Sequence, residues 1–144
     1  MPILNFVEHT IRKWKRDGIG LLEPQSEIAI KAALDQTRRR YSTDVLALYS
    51  LTGGMQNGES DARAWTLWSL AELVSRNSSY DRADILFADF LLNSHLYLFR
   101  YLNPNQSAVY VDYFNGCEPE MVAGSVAEFF DLYLNRPGAL AMFD

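Results

Sequence analysis

Three apolar, aromatic-rich segments follow one another in the second half of the chain and constrain its fold most. They read "ILFADFLL" from residue 85, "HLYLFRYL" from residue 95 and "SAVYVDYF" from residue 107. Only Asn93–Ser94 separates the first two, and the turn sequence "NPNQ" separates the second from the third. Antiparallel strands accept such short connections, whereas parallel strands need a long crossover. We therefore predict an antiparallel sheet.

Two shorter segments flank this block. The segment "AWTLWS" predicts a short strand running into a helical turn, "LAELVSR", and "EMVA" near residue 120 predicts a short strand after the long ones. The final segment, "SVAEFFDLYLNRPG", predicts a closing helix. Ser125 and Glu128 have capping-box spacing there, and Pro137 would end the helix.

The first 53 residues favour helices. Asn5 opens a capping-box pattern for a first helix that Gly18 would end. Pro24 suits the first position of a second helix, with the arginines of "TRRRY" near its C-terminus. Ser42 or the following threonine can cap a third helix, which Gly53 would end.

This order predicts an α+β fold. N-terminal helices precede a largely antiparallel sheet of about four strands, and a C-terminal helix closes the chain. At 144 residues the length suits a single domain, residues 1–144, in which residues 1–22 form an N-terminal helical extension.

The net charge of −5 is unevenly distributed. Residues 1–40 hold eight Lys/Arg against five Asp/Glu, and residues 41–144 hold five arginines against thirteen Asp/Glu. This acidic portion argues against nucleic-acid binding, which depends on Lys and Arg contacts to phosphate. It suits a basic protein partner, although acidic surfaces also serve solubility alone.

Location follows from cysteine use and hydropathy. Cys117 is the only cysteine, so the chain contains no internal disulfide and a reducing compartment is expected. No apolar run approaches the ~18 residues that span a bilayer, and the N-terminal segment lacks the order of a secretory signal. We predict a cytoplasmic protein without membrane contact.

The loop "GGMQNGESD" raises the question of phosphate binding. A Walker-type loop ends in Gly-Lys-Ser/Thr, so that lysine meets the phosphate. Here Gly58 is followed by Glu59 and Ser60, and the carboxylates of Glu59 and Asp61 would repel phosphate. This reading is therefore excluded.

Catalytic and metal sites have weak support. Cys117 and His95 could form a thiolate–histidine pair across the sheet, but no catalytic signature surrounds either residue. The two histidines lack zinc-ligand spacing. Asp112, Glu118 and Glu120 could act as an acid/base group or bind calcium, but an exposed acidic turn is favoured. We expect no catalytic residue, metal or cofactor.

Alternation along the central strand places three aromatic side chains on one face and three leucines on the other: Tyr97, Phe99 and Tyr101 against Leu96, Leu98 and Leu102. If the leucines face the helices, the tyrosines line an open face, which is typical of protein-binding surfaces. The alternative is that these aromatics fill the core.

From residue 25 to residue 140 the segment order resembles the SUKH superfamily, the Smi/Knr-like domain. The stretch "SEIAIKAALDQTRRRYSTDVLALYSLTGGM" resembles the family's opening helix pair and glycine-bearing loop. "LWSLAEL" resembles its tryptophan strand, "ILFADFLLNSHLYLFRYL" its central hairpin and "SVAEFFDLYL" its closing segment. Such domains often carry Leu-Pro where this chain has Tyr41–Ser42, and residues 1–22 lie outside the resemblance.

The resemblance implies a non-enzymatic binding domain. It implies that Trp68 anchors the core and that residues 56–61 form an exposed loop. Bacterial domains of this kind resemble immunity proteins, which neutralise a cognate toxin, often a nuclease or another nucleic-acid-modifying enzyme. The expected partner is thus a basic toxin, and the alternative is a housekeeping regulatory or scaffold domain that binds a cellular protein or peptide. The predicted contact residues are Glu59, Asp61, Tyr97, Tyr101, Asp112, Glu118 and Glu120.

Overall fold

A computed structural model describes residues 2–142, and the side chains from Asn5 onward. It has the predicted α+β architecture, with helices before the sheet and one after it. The helices are α1 (Pro2–Arg16), α2 (Glu27–Gln36), α3 (Thr43–Leu51), α4 (Leu70–Asn77) and α5 (Val126–Asn135), followed by a 3₁₀ turn (Pro137–Leu140).

The sheet has five strands where about four were expected. They are β1 (Trp65–Leu67), β2 (Ile85–Phe90), β3 (His95–Asn103), β4 (Gln106–Asp112) and β5 (Glu120–Ala123). Their spatial order is their sequence order, and every pair is antiparallel. The short β1, predicted from "AWTLWS", brings the number to five, and Trp65 pairs there with Phe90 of β2.

Two predicted helix starts are wrong. Helix α1 begins at Pro2, so Asn5 lies inside the helix and does not cap it. Helix α2 begins at Glu27 and not at Pro24, because the Oγ of Ser26 accepts a 3.2 Å hydrogen bond from the amide of Ala29. A serine at this position satisfies a helix amide that proline cannot.

The caps of α5 and α3 have different outcomes. At α5, the Oγ of Ser125 accepts from the amide of Glu128 at 3.0 Å, which confirms the predicted cap. At α3, Ser42 occupies the N-cap position, but its hydroxyl bonds to Asp44 and to Ser107 of β4 at 2.5 Å. Ser42 therefore joins α3 to the sheet, and its side chain does not cap the helix amides.

The main core lies between one face of the sheet and α1, α3 and α5. Trp65 is at its centre, with ring centroids 6.1 Å from Trp14, 5.8 Å from Phe129 and 5.2 Å from Tyr133. Since Trp14 of α1 is fully buried there, the N-terminal extension packs on the rest of the fold.

A smaller cluster covers the other face of the sheet. It contains Trp68, Leu86, Leu96 and Leu98. The leucines of β3 thus face this cluster, while Tyr97 and Phe99 face the main core. The alternative that these aromatics fill the core is confirmed for Tyr97, and an open tyrosine face is wrong there, because both faces of β3 are buried from His95 to Phe99.

Candidate functional site

A cleft of about 390 Å³ lies between the glycine-bearing loop, the start of α4 and the turn from β2 to β3. Three carboxylate side chains line it, those of Glu59, Glu72 and Asp89. No lysine, arginine or histidine is among its lining residues in the described chain. We call it the acidic cleft.

Gly54 brings the loop against the sheet. Its φ of +97° lies in the left-handed region, and a Cβ there would lie 2.6 Å from the carbonyl oxygen of Trp68. Only glycine permits both the conformation and this close approach. The chain therefore uses this glycine to position one wall of the cleft, and not to hold phosphate.

The position of Glu59 on that wall is also fixed. Its carboxylate accepts a hydrogen bond from the amide of Gly20, and its carbonyl accepts one from the hydroxyl of Thr66 at 3.1 Å. These bonds join the N-terminal segment, the loop and β1. The carboxylate is consequently held at the cleft in a half-buried position.

The floor of the cleft is formed by Trp68 and Asp89. The indole Nε1 of Trp68 donates a 2.7 Å hydrogen bond to Oδ2 of Asp89. The carbonyl of Trp68 accepts a 2.8 Å hydrogen bond from the buried hydroxyl of Tyr49. Asp89 is thereby oriented by a rigid aromatic neighbour.

Arg76 supplies positive charge at the rim. Its guanidinium carbon lies 4.3 Å from the ring centroid of Trp68. It also forms a 3.4 Å ion pair with Glu72 and donates a 2.8 Å hydrogen bond to the side-chain oxygen of Asn93. Arg76 partly neutralises Glu72, which leaves Glu59 and Asp89 as the carboxylates without an ionic partner in the described chain.

The turn beside the cleft carries unusual backbone strain. Leu91, Leu92 and Asn93 have consecutive φ values of 52°, 52° and 71°. Leucine rarely adopts this left-handed conformation, and it costs roughly 1–2 kcal/mol per residue. Leu92 is 92% exposed and lines the cleft, so burial does not offset the strain. Strain of this kind concentrates at functional sites.

Of the predicted contact residues, all of which are described, Glu59 alone lines the acidic cleft. Asp61 is buried and accepts hydrogen bonds from the amides of Arg63 at 2.8 Å and Trp65 at 2.9 Å. It also accepts one from the hydroxyl of Tyr133. The side chain of Asp61 therefore stabilises the loop, and the expectation that it is exposed is wrong.

Tyr97 and Asp112 are buried as well. The hydroxyl of Tyr97 donates a 2.6 Å hydrogen bond to the carbonyl of Leu140, and burial raises its pKa. Asp112 accepts hydrogen bonds from the hydroxyl of Tyr80 at 3.1 Å and the amide of Phe114 at 2.9 Å. Neither side chain has the accessible surface that contact with a partner requires.

The other predicted residues lie outside the cleft. Glu118 is exposed and forms a 2.9 Å ion pair with Arg82, and Glu120 is exposed on β5. Tyr101 is half-buried beneath the guanidinium of Arg40, 5.3 Å from its ring centroid.

The candidate thiol–histidine pair has no supporting contact. Cys117 is exposed, whereas His95 is buried and its Nε2 lies 3.0 Å from the carbonyl of Ala141. A carbonyl only accepts, so this nitrogen donates. Burial lowers the pKa of His95, which favours the neutral ring. Among the described residues, no group of three or more metal-ligating side chains is present, and no helix could span a membrane.

Sequence reasoning missed Glu72, Asp89 and Leu92. Asp89 carried a usable signal, since it is the one charged residue in the apolar strand "ILFADF". Leu92 carried no such signal, because it belongs to the apolar segment "ILFADFLL" and its exposure depends on the conformation of the turn.

The sequence matches no protein-family model, and no curated protein is significantly similar to it.

Proposed function

We propose that this chain is a non-catalytic binding protein of the immunity type. It neutralises a cognate basic toxin, a nuclease or another nucleic-acid-modifying enzyme, by covering its active site. The acidic cleft receives a lysine or arginine side chain of the toxin. The acidic cleft gives the binding function that the SUKH resemblance implies a specific surface on this chain.

One observation carries the proposal, the pairing of the acidic cleft with the strained, exposed turn at Leu91–Asn93. Glu59 and Asp89, which have no ionic partner among the described residues, attract a cation. Leu92 supplies an apolar contact beside them. Binding sites commonly combine an apolar anchor with a few fixed polar groups, and charge complementarity speeds association.

A paired pull-down tests the proposal. The wild-type chain is compared with a cleft variant that carries Glu59→Gln, Glu72→Gln and Asp89→Asn. These amides keep oxygen acceptors for the amide of Gly20 and the indole of Trp68 while the charge is removed. A matched control variant carries Glu8→Gln, Glu23→Gln and Glu27→Gln, which are exposed and do not line the cleft.

We expect the wild-type and control chains to capture one basic protein from the native host at low salt, with weaker capture at high salt. The cleft variant should lose it. Equal capture by the cleft variant would contradict the role of the cleft. Capture of a constitutive cellular protein that is retained in high salt would favour the regulatory or scaffold function instead.

A further inference from the structure

A second groove, of about 630 Å³, lies where the segment after α2 meets the segment between α4 and β2. Four arginines line it together with one aromatic ring, which makes it chemically the opposite of the acidic cleft. We call it the arginine groove; its side chains include Arg38, Arg39, Arg40, Arg82, Asp81 and Tyr101.

Arg39 fixes the groove and is not free for a ligand. Its guanidinium donates to the carbonyls of Asn77 at 3.0 Å, Tyr80 at 2.6 Å and Arg82 at 2.9 Å. These carbonyls belong to the last residue of α4 and to the segment after it, where a cation is favourable. The arginines predicted near the C-terminus of α2 thus lie beyond that helix, and Arg39 binds the C-terminal end of α4 instead.

Arg38 and Arg40 flank this anchor and are both exposed. In the described chain neither forms an ion pair with a carboxylate, whereas Arg82 is paired with Glu118 at 2.9 Å. Arg40 rests over the ring of Tyr101. Asp84, the second carboxylate of the groove, is held by Arg100 at 2.9 Å. The groove therefore presents two available guanidinium groups on a fixed backbone.

We propose that the arginine groove binds a phosphate-class oxyanion, with Arg38 and Arg40 as its ligands. The planar guanidinium matches the oxygen spacing of phosphate and donates two parallel hydrogen bonds. The net charge of the chain is −5, so general attraction does not favour anions. Any anion binding would therefore have to come from a local site. This proposal is independent of the toxin-binding function.

Calorimetric titration of the full chain with inorganic phosphate, pyrophosphate and glycerol phosphate tests it. Saturable binding is expected, and preference for pyrophosphate or for the ester distinguishes a polyphosphate from a phosphoryl group on a larger molecule. Arg38→Gln and Arg40→Gln should each weaken binding about tenfold, the effect of losing a charge-assisted hydrogen bond. Arg40→Lys should also weaken binding, because lysine lacks the paired donors, but by less than Arg40→Gln, because lysine keeps the charge.

Two controls make the test specific. Arg136→Gln removes an exposed arginine outside the groove, and its affinity should equal that of wild type. Asp81→Asn removes an exposed carboxylate that lines the groove and should tighten binding about threefold. Absence of saturable binding by all three anions would overturn the proposal. An equal loss of affinity in Arg136→Gln and Arg38→Gln, with folding unchanged by circular dichroism, would also overturn it.

Discussion

Trp14 and Tyr133 lie 119 residues apart in sequence, and the indole Nε1 of Trp14 donates a 2.8 Å hydrogen bond to the hydroxyl oxygen of Tyr133. That hydroxyl donates in turn to the carboxylate of Asp61. The relay connects α1, α5 and the loop before β1 inside the core. It makes the N-terminal helix and the loop parts of one buried polar network.

Tyr133→Phe should lower the free energy of unfolding by about 2–4 kcal/mol, because the indole of Trp14 and one oxygen of Asp61 lose their buried partner. Urea denaturation measures the change. Tyr41→Phe is the control, since its hydroxyl bonds to the exposed Asp35 at 2.8 Å. A loss in Tyr133→Phe no larger than in this control would show that the relay does not stabilise the core.

Leu92→Asn should raise the free energy of unfolding by about 1 kcal/mol, because asparagine tolerates the left-handed conformation and Leu92 buries almost no surface. The same change should weaken capture of the partner. Leu102→Asn is the control; Leu102 is also exposed, but its φ is not positive. Chemical denaturation and pull-down measure the two effects. A less stable Leu92→Asn would mean that the turn is not strained.

Stability should fall steeply above pH 10. Burial raises the pKa of Tyr49, Tyr97 and Tyr133 above the ordinary value of 10.0. At higher pH the unfolded state releases these protons and the native state keeps them, so the unfolded state binds fewer protons and is favoured. Each of these tyrosines lowers the free energy of unfolding by about 1.4 kcal/mol per pH unit, so the three together lower it by roughly 4 kcal/mol per pH unit.

An alkaline titration that follows tyrosinate absorbance and circular dichroism together checks this. The absorbance change from the buried tyrosines and the circular dichroism change from unfolding should occur in one transition. Ionisation of all eight tyrosines while the native circular dichroism persists would contradict the expected burial.

Arg39→Lys should lower the free energy of unfolding by about 2 kcal/mol, because one ammonium cannot reach the separate carbonyls that the guanidinium joins. Arg40→Lys, which keeps the charge at an exposed neighbouring position, should change it by less than about 0.5 kcal/mol. Thermal denaturation distinguishes the two. Equal effects would mean that charge alone, and not the hydrogen-bonded anchor, is what the segment requires.

Residue patterns predicted the order of helices and strands well, because periodicity and turn residues are local. They could not orient β3, since a strand buried on both faces has no polar side to mark the solvent. They also could not place Asp61, whose burial depends on Tyr133 of a distant helix. The acidic cleft escaped prediction because Glu59, Glu72 and Asp89 come from a loop, a helix and a strand.

The most direct test of the toxin-binding account is a titration of the captured enzyme's activity with purified chain. We predict that the wild-type and control chains abolish its nuclease or other nucleic-acid-modifying activity at one equivalent, and that the cleft variant leaves the activity intact at the same concentration. An enzyme that stays fully active when bound, or that the cleft variant inhibits equally well, would contradict the account.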